Sequence, residues 1–160
     1  MQQFLQEHAP GLHPPSALNS EQLYAWLARH CTDPTLGLRL GQCYRVTDYG
    51  PVSLAMLCAQ DLGQAVQVVA AHLLEFNSHI ASMDIASRAG ETLVEVRFRA
   101  DVVQSATVHR FHANVMASAT LRLVVDLVGP RRCLRSLVLP LQPHHPAMEA
   151  YFEVPVAFQG

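Results

Sequence analysis

Ile80-Ala81-Ser82-Met83-Asp84-Ile85-Ala86-Ser87-Arg88 and, beyond Ala89-Gly90-Glu91, Thr92-Leu93-Val94-Glu95-Val96-Arg97-Phe98-Arg99 are the residues over which the apolar period falls from about 3.6 to about 2. In the second run Val94, Val96 and Phe98 alternate with Glu95, Arg97 and Arg99, as residues on opposite faces of a strand must. The interval around Gly90 has the length of a hairpin connection, so the two runs read as an antiparallel pair with one core face and one wet face. Flanking segments of helical period must cover the core face.

The segments before the hairpin read as helices. Asn19 caps one, with Gln22 at the third helical position and Leu23, Trp26, Leu27 and His30 sharing a face. Asp33-Pro34 pairs a capping carboxylate with a proline suited to a first turn, and Leu36 and Leu40 form the apolar stripe before Gly41. After the break at Tyr49-Gly50-Pro51, a short helix spans Pro51 to Ala59. Asp61 caps the next, with Gln64 three residues on and Leu62, Val66, Val69, Leu73 and Phe76 at helical spacing. Residues 1–18, with Pro10, Pro14 and Pro15, read as a loosely ordered arm, which leaves 19–160 as a single domain.

After the hairpin a helix is expected from about Val102 to Val128, capped by Asp101 and stopped by Gly129-Pro130. At about 1.5 Å per residue it would run about 40 Å, long for one face of a small domain. A strand over Arg135 to Leu139 follows. Pro146 then opens a short helix with Met148, Tyr151 and Phe152 on one side, and Val154-Pro155-Val156-Ala157-Phe158 reads as a strand with no partner after it. That ending suggests a piece cut from a larger protein. The expected fold class is α+β: helices packed on a small, mainly antiparallel sheet, with one long helix after a central hairpin.

Composition narrows the function. The 160 residues are 50% hydrophobic and 15% charged, with formal charge −2, enough for a substantial core and too few cations for a phosphate-gripping face. Cys31, Cys43, Cys58 and Cys133 are widely spaced and read as free thiols, mostly in the core. The N-terminus lacks a signal-peptide pattern, and no run reaches the roughly 20 apolar residues of a membrane span. The expected compartment is the cytoplasm, with no membrane partner.

The polar residues do not assemble into a catalytic motif. Ser105, His109 and Asp101 would lie on one helical segment without the strained turn of a nucleophile, and Gly37-Leu38-Arg39-Leu40-Gly41 lacks the features of a phosphate loop. His109 and His112 share a helix face but lack further ligands for a metal. Neither an enzyme, a metal site nor a cofactor is expected. The two imidazoles instead suit the polar end of a small-molecule cavity, alongside Met116 on the same helix and Phe98 on the core face of the strand. Arg97 or Arg99 at the mouth would hold an anionic ligand by two points. The candidate ligand-binding residues are therefore Arg97, Phe98, His109, His112 and Met116. A free-standing haem- or acyl-chain-binding module is the alternative, with His72 or His109 as an axial ligand.

Three segments carry a family resemblance. Asp33-Pro34-Thr35-Leu36-Gly37-Leu38-Arg39-Leu40-Gly41, the series Gly50, Ala55, Leu62, Gly63 and Ala65, and the Tyr151-Phe152 helix leading to Pro155-Val156-Ala157-Phe158 resemble, in that order, the N-terminal effector-binding domain of AraC/XylS-type bacterial transcription regulators, the "arabinose-binding-like" subgroup. The resemblance implies a ligand-sensing and dimerisation domain whose small effector modulates DNA binding by a C-terminal helix-turn-helix domain absent from this chain. Effectors implied by the family are amino acids, fatty-acid-like molecules or cyclic dinucleotides. A homodimer is expected because half-site recognition uses two copies.

Overall fold

The computed structural model describes residues 2–76, 79–88, 90–101, 105–129, 134–140 and 146–159. Where a loose arm is predicted, the chain begins with helix α1 (Gln2–His8), whose Phe4 and Leu5 are buried. Two adjacent large apolar side chains gain more by filling a core groove than the proline-rich stretch behind them loses in order; Pro10, Pro14 and Pro15 fall in the irregular segment that follows.

Helix α2 (Ser20–His30) starts as its sequence predicts: the Asn19 side chain accepts from the Gln22 backbone N–H at 2.9 Å, and Gln22 Oε1 accepts from the Asn19 N–H at 3.1 Å. Its buried stripe is rotated from the predicted one. Tyr24, Leu27 and Ala28 face the core, while His30 is exposed and stacks on Trp26 at a centroid distance of 4.4 Å. Helix α3 (Leu36–Gln42) begins later than Asp33-Pro34 suggests. Asp33 instead folds the preceding turn, accepting from the Thr35 backbone N–H at 2.8 Å and from its hydroxyl at 2.7 Å, and pairs with Arg39 at 2.5 Å.

A 3₁₀ turn (Val46–Tyr49) leads to Gly50, whose φ of 58° and ψ of −135° only glycine adopts readily, and Pro51 then opens α4 (Pro51–Leu57). Helix α5 (Leu62–Phe76) is capped as predicted, with Gln64 N–H donating to Asp61 at 2.8 Å. Strands β1 (Ile80–Arg88) and β2 (Glu91–Phe98) form the predicted antiparallel hairpin, with Arg88 opposite Glu91. Val94, Val96 and Phe98 are half-buried and their neighbours exposed. A register irregularity between Ile80 and Ser82 changes the phase of β1, so that Ile80 and, after it, Met83 and Ile85 turn inward.

The long helix is α6 (Ala106–Val128), capped by Ser105, which accepts from the Val108 N–H at 3.3 Å, rather than by Asp101. The predicted first turn over Val102 to Gln104 lies outside the described residues. Strand β3 (Leu137–Pro140), helix α7 (Pro146–Phe152) and strand β4 (Val156–Gln159) complete the fold. The last strand does have a partner: β4 pairs with β3, in parallel, and α7 is the crossover between them. The architecture is α+β, with the hairpin as one small antiparallel sheet and β3–β4 as a second, parallel pair.

At 23 residues α6 is long and apolar enough to cross a membrane by length and composition alone, but here it is the spine of the core. Val108, Phe111 and Val115 pack with α1, α2 and α3; Ala113 packs with Leu139, Met148 and Phe152; Leu123 packs with Val69, Leu73 and Ile80. Its length is explained by this service to three clusters.

Helix α3 crosses α6 at backbone contact. A Cβ on Gly41 would stand 2.4 Å from the Val115 carbonyl oxygen and 2.6 Å from Ser118 Cβ, and one on Gly37 would stand 3.0 Å from Asn114 Cβ. Ser118, fully buried, donates to the Leu38 carbonyl at 2.6 Å and so accepts from the Tyr151 hydroxyl at 2.5 Å, tying α3, α6 and α7 together. The thiols differ from expectation: Cys43 and Cys58 are exposed, Cys31 is half-buried, and Cys133 lies outside the described residues.

Gly41→Ala should lower the unfolding free energy by about 3 kcal/mol, at the upper end for overpacking. Gly37→Ala should cost less, since its contacts are looser. Urea melts check this; equal stabilities for the two variants, or a Gly41→Ala protein as stable as the wild type, would contradict the close crossing.

Candidate functional site

Helices α5 and α6 diverge over the core face of the hairpin and leave a cavity of about 220 Å³ between them. Its walls are mostly aliphatic: Val66, Val69 and Leu73 from α5, Met83 and Val96 from the hairpin, Met116, Leu123 and Leu127 from α6. Spacings of i, i+3 and i+4 bring these groups onto one face of α5 and one face of α6.

One end is polar and aromatic. His112 is 2% exposed and His79 is buried beside it, ring centroids 4.5 Å apart. Tyr24 stacks on His79 with centroids 5.5 Å apart and planes nearly parallel, and meets His112 edge-on at 5.2 Å. The Tyr24 hydroxyl is hydrogen-bonded to that of Tyr44. Burial, together with Tyr44 close by, holds the Tyr24 phenol well above its usual range; burial, then Tyr44 and Asp48, pushes Tyr49 up to about 12. Burial, then the neighbouring His79 and His109, pushes His112 down to about 4. At neutral pH His112 and the phenols of Tyr24 and Tyr49 are therefore uncharged. Among the described residues no hydrogen-bond partner reaches the buried Nε2 of His112.

Asp48 and Tyr49 of the 3₁₀ turn, with Tyr44 just before it, close the cavity, and Asp126 fixes that turn against α6. The Asp126 carboxylate accepts from the Val46 N–H at 3.2 Å and pairs with Arg122 at 2.7 Å and, more loosely, with Arg45 at 3.9 Å. A pair that reads in sequence as a simple i, i+4 interaction thus also fastens a loop.

Of the five sequence candidates, His112 and Met116 line the cavity. Phe98 lies behind His112, edge-on at 6.1 Å, and meets His109 edge-on at 5.4 Å. Phe98 and His109 support the wall without facing the space. Arg97 does not come to the mouth: its side chain is 59% exposed on the outer face of the hairpin, paired with Glu95 at 3.0 Å and Asp84 at 3.2 Å. Arg99 pairs with Asp101. Ser105 serves as a helix cap, and His72, the other axial candidate for haem, is exposed.

Tyr24, Tyr44, Tyr49 and His79 escaped the sequence reading. Tyr24 was recoverable from the α2 stripe had its phase been set by Leu27 alone. The other three sit in turns or at a strand start, where no periodicity marks a direction.

His112 makes stability pH-dependent. The unfolded chain protonates this imidazole near 6.5 whereas the folded chain resists until about 4, so stability present above pH 6.5 is lost progressively as pH falls through that window. The contribution is on the order of 2–3 kcal/mol, and His112→Met should flatten the wild-type slope between pH 7 and 4.5 by that amount. Parallel pH profiles for the two proteins would contradict a buried neutral His112.

Residues 13–160 match the family described as the N-terminal arabinose-binding domain of the AraC transcription regulator. The chain is similar to the HTH-type transcriptional regulator VqsM of Pseudomonas aeruginosa, 32% identical over 145 residues that make up 88% of this chain and 44% of that protein. Its fold is similar to the crystal structure of the transcriptional regulator CdpR from Pseudomonas aeruginosa, with a TM-score of 0.79 and 31% identity over 99% of this chain and 50% of that one. The chain spans about half the length of these relatives, both transcriptional regulators.

Proposed function

The chain belongs to the family of N-terminal arabinose-binding domains of AraC transcription regulators, and from that premise we propose that it is the effector-sensing part of a bacterial transcription regulator. A small molecule enters the cavity between α5, α6 and the hairpin, two copies associate as a homodimer in the cytoplasm, and promoter DNA is read by a helix-turn-helix domain outside this span. The observation that carries the reading is the cavity itself, a mostly apolar space of about 220 Å³ beside a helix that α3 crosses at backbone contact.

An effector acts only by binding one arrangement of the regulator better than another. A guest in this cavity touches α6 and the 3₁₀ turn at once, and Asp126 is the link between them. Occupancy would thereby tighten the turn against the spine, and a repositioned turn is the differential contact that the model of two states requires.

A thermal-shift panel of small metabolites should contain a compound that raises the melting temperature by several degrees at 100 times its Kd, equivalent to about 2.7 kcal/mol. Met116→Trp, which fills the space, should keep the far-UV spectrum and lose the shift. A wild-type protein stabilised by none of the panel, or a variant stabilised equally, would overturn the sensing role. Light scattering should give twice the 17.6 kDa chain mass; a monomer at high micromolar concentration would remove the dimer from the proposal.

A further inference from the structure

Resting on that reading of the cavity as an effector site, we infer that its guest is an uncharged, largely apolar molecule of about nine non-hydrogen atoms whose single hydroxyl meets His112 Nε2, and that the cavity rejects both sugars and carboxylates. The size follows from the volume of about 220 Å³, scaled from an engineered cavity of roughly 150 Å³ that admits one benzene.

Charge follows from the lining. Among the described residues no arginine borders the cavity, and the chain contains no lysine. Among the described residues the only acidic side chain on its wall is Asp48, at the exposed rim, where its carboxylate accepts from the Arg45 N–H at 2.8 Å. Arg97, on the outer face of the hairpin, is committed to Glu95 and Asp84, and Arg99 just beyond it to Asp101. A carboxylate drawn into an apolar space without a cation or a set of donors loses its hydration for nothing in return. The neutral His112 and the neutral phenols of Tyr24 and Tyr49 offer it no compensating charge.

Polarity sets the other limit. A pentose carries a hydroxyl on nearly every carbon, and most of them would face Val69, Leu73, Met83, Val96 and Met116. Tyr24 and Tyr44, the closest hydroxyls, already bond to each other. His112 Nε2 is different: buried, on a ring that borders the space, and without a protein partner among the described residues. An unsatisfied buried nitrogen is unfavourable until a guest supplies the missing hydrogen bond. A hydroxyl both donates and accepts, so it satisfies this nitrogen in either tautomer.

The test uses octan-1-ol, n-octane, octanoate and L-arabinose on the whole chain at pH 7, read by amide and methyl NMR shifts at His112, Met116 and Met83 with calorimetry for affinity. Octanol should shift these resonances saturably and bind roughly tenfold more tightly than octane, one net hydrogen bond; octanoate and arabinose should leave them in place. His112→Leu should erase the octanol-over-octane preference, and His112→Gln, which keeps a hydrogen-bonding group and guards against a folding artefact, should retain most of it. Binding of octanoate or arabinose in preference to octanol would overturn the assigned class and leave the sensing role standing. No shift with octanol, or an unchanged preference in His112→Leu, would also overturn the class. Failure of the sensing role itself is read separately, from the metabolite panel and Met116→Trp.

Discussion

The domain depends on the crossing of α3 and α6 at backbone distance. Gly37 and Gly41 lie one helical turn apart on α3, and the space that their missing side chains leave is occupied by Asn114, Val115 and Ser118 of α6. This proximity lets the Ser118 hydroxyl reach the Leu38 carbonyl and also receive Tyr151. The crossing fixes the direction of α6, and α6 supplies residues to all three core clusters. A helix held this firmly at its centre can leave space beside its C-terminal half without collapse, because close-packed interiors deform little.

The cavity occupies that space. Near the crossing α6 is covered by α2 and α3; beyond it, α5 and the hairpin border the cavity with α6, and the hairpin's inner face is only half-buried. The polar end falls where α2, α6 and the start of β1 converge; the aromatic and imidazole rings there pack on one another and Tyr24 bonds to Tyr44, while His112 Nε2 has no protein partner among the described residues. The 3₁₀ turn that Asp126 holds closes the cavity beside Tyr44 and Tyr49. Rigid spine, tethered turn and open hollow are thus consequences of a few contacts along one helix.

Local chemistry was legible where a residue's partner lies within one turn of chain. The caps at Asn19 and Asp61, the proline starts of α4 and α7, and the alternation of β2 are of this kind, and the structure has each of them. Misplacements arose where two local signals competed or a distant partner decided. Asp33 and Asp101 both resemble caps, yet Thr35 and Ser105 hold those positions. Trp26 and His30 outscore Tyr24 in bulk and spacing, yet the approach of α6 selects Tyr24.

By itself the sequence determined the α+β class, the hairpin, the starts of α2, α4, α5 and α7 and the family, because these rest on period, capping chemistry and short motifs that neighbouring residues enforce. Tertiary structure alone decided that Phe4 and Leu5 belong to the core, that β4 pairs in parallel with β3, and that His79 and three tyrosines join His112 while Arg97 stays outside. The physical reason is range. A cap or an alternation is complete within a few residues, whereas a cavity exists only through surfaces brought together from α2, α5, α6 and the hairpin, and no local pattern records which of their polar groups will meet.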